Sequence, residues 1–148
     1  MSAAHFHLLL NHIPILGSIF GLLLLLYATL KKNDEIKRVC FGVFVITALM
    51  TIPVYLTGDG AARIVRELPD VSRDIISEHD SAATFAIISA ELLGVVSLLA
   101  WWFTRNGKRL ATWMLITVIV VAVWSTSVVV RTGYLGGQVR HSEVRAVP

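Results

Sequence analysis

Cysteine occurs once among the 148 residues, as Cys40. That excludes an internal disulfide framework and any thiolate cluster within one chain. Charge is scarce too: Asp, Glu, Lys and Arg make up 16%, against about 25% in a typical soluble domain. What charge there is lies bunched between apolar runs. The net charge of +3 therefore marks the flanks of apolar segments and not a phosphate-binding stripe. No nucleic-acid motif is present, so nucleic acid is not an expected partner. Residues 1–11 hold no Lys or Arg, and the basic start of a cleaved signal peptide is missing. The first apolar run is expected to be a retained helix. No hydrolase or transferase constellation is visible; Ser77 and Ser81 beside His79 lack an oxyanion hole.

Apolar residues are abundant, at 55% of the chain with a mean hydropathy of +0.72. Such a share needs a low-dielectric solvent. A hydrocarbon core of about 30 Å takes roughly 17–25 apolar residues in a helix, and four segments qualify: 13–30, 39–56, 82–103 and 110–130. Strands with open edges would leave backbone groups unsatisfied in lipid, so the spans are helices. The expected fold is an all-α integral membrane four-helix bundle, a single domain over residues 1–148 built from two helical hairpins.

Every lysine falls in the two short connections, 31–38 and 105–109, together with Arg38, Arg105 and Arg109. The positive-inside rule makes that side cytoplasmic, with both termini outside. The arginines of the other side (Arg63, Arg66, Arg73, Arg131, Arg140, Arg145) are spread out and offset by Asp59, Glu67, Asp70, Asp74, Glu78, Asp80 and Glu143. This reading makes the chain a multi-pass membrane protein with its histidines toward the outer face. The long outer loop, 58–80, carries Ile64, Leu68, Val71 and Ile75 at amphipathic-helix spacing, with Pro69 expected to break it in two. It would lie on the membrane surface or cap the bundle.

Gly17 and Gly21 form a small-xxx-small pair suited to close helix approach. Ala82, Ala86, Ala90 and Gly94 put one small residue per turn on one face of the third span. That stripe could seat a neighbouring helix or a flat macrocycle. Pro53 is expected to kink the second span, and Trp101, Trp102 and Trp113 to anchor at the inner interface. A faint internal echo also runs through the chain. Asn11-His12 opens the first span and Glu78-His79 the third; Thr57-Gly58 leaves the second span and Thr132-Gly133 the fourth. Each half is then a hairpin with a histidine at its entrance, and the two would pack about a pseudo-two-fold axis along the membrane normal.

All five histidines (His5, His7, His12, His79, His141) fall on the outer side. Histidine is a common haem and metal ligand. Haem b takes one or two axial imidazoles from facing helices. His12 and His79 are the expected pair, with Gly17, Ala82, Ala83 and Ala86 leaving room. Arg63, Arg66, Arg73 or Arg131 would meet the propionates. Zinc or copper is the alternative, using the histidines with Asp59, Glu78 or Asp80. His7 and His141 would complete that metal site, support the first haem or hold a second one. Glu91, near the middle of the third span, is either a proton relay or quinone contact, or a hydrogen-bonded packing residue.

The run His7-Leu8-Leu9-Leu10-Asn11-His12-Ile13-Pro14-Ile15 resembles the opening motif of an uncharacterised bacterial family of predicted four-helix membrane proteins. His79, Thr132-Gly133-Tyr134-Leu135-Gly136-Gly137 and His141 resemble its other landmarks, so the likeness covers nearly the whole chain. The sequence departs from the pattern at Asn11, where an aliphatic residue is usual, and in a shorter run from Gly137 to His141. Some members are fused to Rieske iron–sulfur domains, which implies electron traffic at the outer face. The combined expectation is a b-type cytochrome-like electron-transfer subunit with one or two haems. It would serve a membrane redox complex, with a quinone on one side and a Rieske-type or cytochrome c carrier on the other. The competing expectations are a non-redox metal-binding protein and a cofactor-free structural or assembly subunit.

Overall fold

The computed structural model describes residues 3–67 and 71–141. Pro69 and Leu68 lie outside them, as do Asp70, Glu143, Arg145 and the rest of the C-terminal tail. Five helices follow in order: α1 (Ala3–Leu10), α2 (His12–Leu30), α3 (Asp34–Val65), α4 (Arg73–Thr104) and α5 (Thr112–Arg140). The first two form one path. Asn11 keeps helical angles, and its N–H donates to the His7 carbonyl at 2.9 Å. Pro14 has no N–H to offer the Leu10 carbonyl, so the ladder lapses there and resumes. Counted that way, four helices among the described residues are long and apolar enough to cross a membrane. The chain is an all-α, multi-pass four-helix bundle.

α2 and α3 form one hairpin, α4 and α5 the other. Contacts run α2–α3, α3–α4, α4–α5 and α5–α2, closing a ring in which α2 and α4 sit on a diagonal; α1 lies on α3. Both ends of the described chain are at one end of the bundle, with the histidines. The lysines are at the other.

One expectation needs correcting. Residues 58–65 do not form part of a separate surface element; they prolong α3, and α4 begins already at Arg73, where the Ser72 side chain accepts from the Asp74 N–H at 3.2 Å. At 1.5 Å per residue each of these helices is about 48 Å long, well beyond the hydrocarbon thickness. Gly58 and Gly60 fail to stop α3 because the extension is packed: Ala61 and Ile76 are both buried. Likewise α3 continues through Pro53 to Val65.

Small residues set the helix spacing. A Cβ on Gly21 would come within 2.6 Å of the Phe44 ring, and one on Gly17 would collide with the Thr47 hydroxyl. Ala82, Ala86, Ala90 and Gly94 are all buried. A Cβ on Gly94 would sit 2.6 Å from that of Ala48 on α3, so this stripe seats a helix and not a macrocycle. Ala48 cannot swing aside, since its Cβ is fixed to the backbone. Gly94→Ala is accordingly expected to lower bundle stability by about 1–3 kcal/mol, read as a lower unfolding midpoint in detergent. Gly42→Ala, where a Cβ meets nothing within 4 Å, should leave that midpoint level or raise it slightly.

The buried positions repeat between the hairpins. Pro14, Ser18, Gly21, Leu25 and Ala28 are buried on α2; the residues 72 further on (Ala86, Ala90, Leu93, Ser97 and Ala100) are buried on α4. Cys40, Phe44, Thr47, Ala48 and Thr51 are buried on α3. The residues 78 further on (Val118, Ala122, Ser125, Thr126 and Val129) are buried on α5. The two hairpins thus share one packing register, the pseudo-two-fold relation expected from the echo. Its alignment is different: it matches His7, not His12, with His79.

Candidate functional site

Helical phase decides which histidines face inward. His7 and His12 are five residues apart, about 140° around a helix of 3.6 residues per turn. Both cannot point into the bundle. His7 is half-buried and His12 is exposed. The expected His12–His79 pairing is therefore not formed: His12 faces away, on a helix diagonal to α4. His7 and His79 are instead the two histidines that are half-buried at this end of the bundle, His7 against α3 and His79 against α5. His5 and His141 are exposed near the two ends of the described chain.

Each of the two inner rings is held the same way. His7 Nδ1 lies 2.9 Å from the Val54 carbonyl of α3, with the Thr57 hydroxyl 3.4 Å away. His79 Nδ1 lies 3.1 Å from the Thr132 carbonyl of α5. A carbonyl only accepts, so Nδ1 is the donor in both rings, which leaves Nε2 as the nitrogen that could bind a ligand. Metal-bound imidazoles in proteins are commonly tied down this way, by the ring nitrogen that does not bind the metal. One turn along from His7, Asn11 Oδ1 is buried with no hydrogen-bond partner, an acceptor available to a bound group.

Glycine makes space for both rings. Gly58 and Gly136, again 78 residues apart, stand beside them. A Cβ on Gly58 would be 3.8 Å from His7 Cε1, and one on Gly136 only 2.9 Å from His79 Cε1. The two substitutions should therefore differ. Gly136→Ala forces the His79 ring off the Thr132 carbonyl and is expected to weaken binding of a His-ligated group by about 10–100-fold. Gly58→Ala makes an ordinary contact and should leave binding near wild type. Titration of the purified apoprotein with haem compares them directly.

The rim is charged. Glu78 and Asp80 flank His79; Arg131 approaches Glu78 at 3.5 Å and Arg66 approaches Asp80 at 4.0 Å. These exposed pairs are worth about 0–1 kcal/mol each, so either arginine can be drawn off by a stronger anion. Arg66, Arg73, Ser77 and Asp80 line an open cleft of about 450 Å³, and Arg63 is exposed on α3. Among the described residues no three His, Cys, Asp or Glu side chains converge to hold a metal ion. Glu91 is half-buried in the middle of α4, and its Oε1 has no partner.

No protein-family model, curated protein or solved structure matches the chain. The site's chemistry rests on its own geometry. Asn11, Val54 and Thr57 were not singled out from the sequence as parts of the site. The signal that could have found them is the packing register, which sets Val54 against Thr132 and Gly58 against Gly136.

Proposed function

We propose that the protein is a membrane electron-transfer subunit of the b-type cytochrome kind, with haem held at the histidine end between His7 and His79. The paired anchoring of these rings carries the reading: two imidazoles, one from each half of the chain, tied at Nδ1 to backbone carbonyls, which leaves Nε2 of each as the ligating nitrogen. Haem iron needs one or two such donors from the protein. Zinc in a structural or catalytic site takes three or four, and this set supplies two. The donor chemistry thus favours haem over the zinc or copper alternative. His12 takes no part as a ligand here, and His141 and a second haem are not needed.

When bound, haem would supply one-electron transfer. Two imidazole ligands would leave no open position on the iron, which favours electron transfer over oxygen chemistry. The protein's own part is to fix the two rings, to keep space beside them with Gly58 and Gly136, and to offer Arg66 and Arg131 to anionic groups at the rim. The lysine-rich connections support placing the opposite, histidine end on the periplasmic side of a bacterial inner membrane. A Rieske-type or cytochrome c carrier could dock there. Glu91 gives a membrane-level site for proton or quinone traffic within a larger redox complex. The likeness to the four-helix family, some of whose members carry Rieske domains, points the same way.

The test is a reduced-minus-oxidised visible spectrum of protein purified in detergent from haem-replete cells, with the haem extracted and quantified. A sharp Soret band and one haem per chain are expected. A colourless protein would overturn the reading.

A further inference from the structure

At the lysine end the seam between α3 and α4 opens into a groove of about 640 Å³. Glu35, Arg38, Val39 and Gly42 of α3 line it together with Trp101 of α4 and Arg105 just beyond that helix. Both guanidinium groups are pre-positioned. Arg38 Nη1 donates to the Thr104 carbonyl at 3.3 Å, which leaves its other N–H groups free of that bond. Arg105 stacks on the Trp102 ring, 3.3 Å from its centroid. Gly42 is a notch, since a Cβ there would meet nothing within 4 Å. Beyond it the exposed apolar side chains of Ile46 and Leu49 continue along α3 toward the middle of the membrane.

A charged groove that is continued by an exposed apolar helix surface matches one molecule: a lipid with an anionic head. We infer that this groove binds one anionic phospholipid, its phosphodiester between Arg38 and Arg105 and an acyl chain over Gly42. Planar guanidinium groups suit phosphate oxygens, and basic pockets between membrane helices bind such headgroups. Lys37 is paired with Asp34 at 2.8 Å, and Lys31, Lys32, Lys108 and Arg109 at the same end strengthen the field and outweigh Glu35. The inference stands apart from the histidine site and does not depend on a cofactor there.

The experiment is native mass spectrometry of delipidated full-length protein with phosphatidylglycerol or phosphatidylcholine. Phosphatidylglycerol should be retained preferentially, by about fivefold for each arginine engaged. Arg105→Gln should lower that preference about fivefold. Gly42→Leu puts a side chain into the notch, where a Cβ meets nothing within 4 Å, and should abolish retention of the bound lipid while the unfolding midpoint holds. Inorganic phosphate at millimolar concentration should not displace the lipid. Equal retention of the two lipids would overturn the inference. So would undiminished retention in Gly42→Leu with a normal midpoint, and so would displacement by inorganic phosphate, which would mark a free-anion site.

Discussion

Replacing His79 with alanine is expected to leave a folded bundle that purifies without haem, whereas His12→Ala purifies with its full complement. The contrast comes from geometry. His79 is half-buried and fastened to Thr132 on the neighbouring helix; His12 is exposed on the far diagonal. His7→Ala should behave as His79→Ala does, because His7 is the equivalent residue of the other hairpin and is fastened to Val54. Loss of a ligand should exceed the about 10–100-fold effect of disturbing a residue that only orients one. Haem content per chain, with circular dichroism to check the helices, reads the result. Haem lost in His12→Ala and kept in His7→Ala would reverse the assignment.

The second large effect concerns the core. Gly21→Leu should prevent normal assembly, since even a Cβ there comes within 2.6 Å of the Phe44 ring. The equivalent positions in the other hairpin reverse the sizes: Leu93 stands where Gly21 does, and Ala122 where Phe44 does, all four buried. A large residue is thus required on one helix of each pair, and which helix carries it is interchangeable. The double variant Gly21→Leu with Phe44→Ala copies the second hairpin into the first and should recover most of the stability lost by Gly21→Leu alone. Overpacking typically costs about 1–3 kcal/mol and occasionally more, and a Phe→Ala cavity about 3–5 kcal/mol. Strong coupling in a double-mutant cycle is the expected result. Additive losses would show that the two hairpins do not share a packing register.

The four spans were legible because each is a long apolar run bounded by charge, and lipid leaves such a run little choice but helix. The role of Gly17, Gly21, Ala86 and Gly94 as close-packing residues was legible for a similar reason: small residues one turn apart have few other uses in a membrane helix. The extension of α3 past Gly58 was not. Local signals there favour a break, and the helix persists because Ala61 and Ile76 find partners in three dimensions. The histidine pairing failed at the same boundary. Hydropathy places the start of the first span near Ile13, which makes His12 look like its opening residue. The helix in fact begins a turn or more earlier, at Ala3–Leu10, so His7 already lies on it. Only the phase of buried residues down α2 and α4 reveals which histidine faces inward, and sequence alone does not supply that phase when nearly every position is apolar.

The most direct test of the central claim is the electron paramagnetic resonance spectrum of the oxidised protein from haem-replete cells. A low-spin ferric signal from iron with two imidazole ligands is predicted, absent in His7→Ala and unchanged in His12→Ala. A protein without ferric haem, or a low-spin signal that survives His7→Ala and vanishes in His12→Ala, would contradict it.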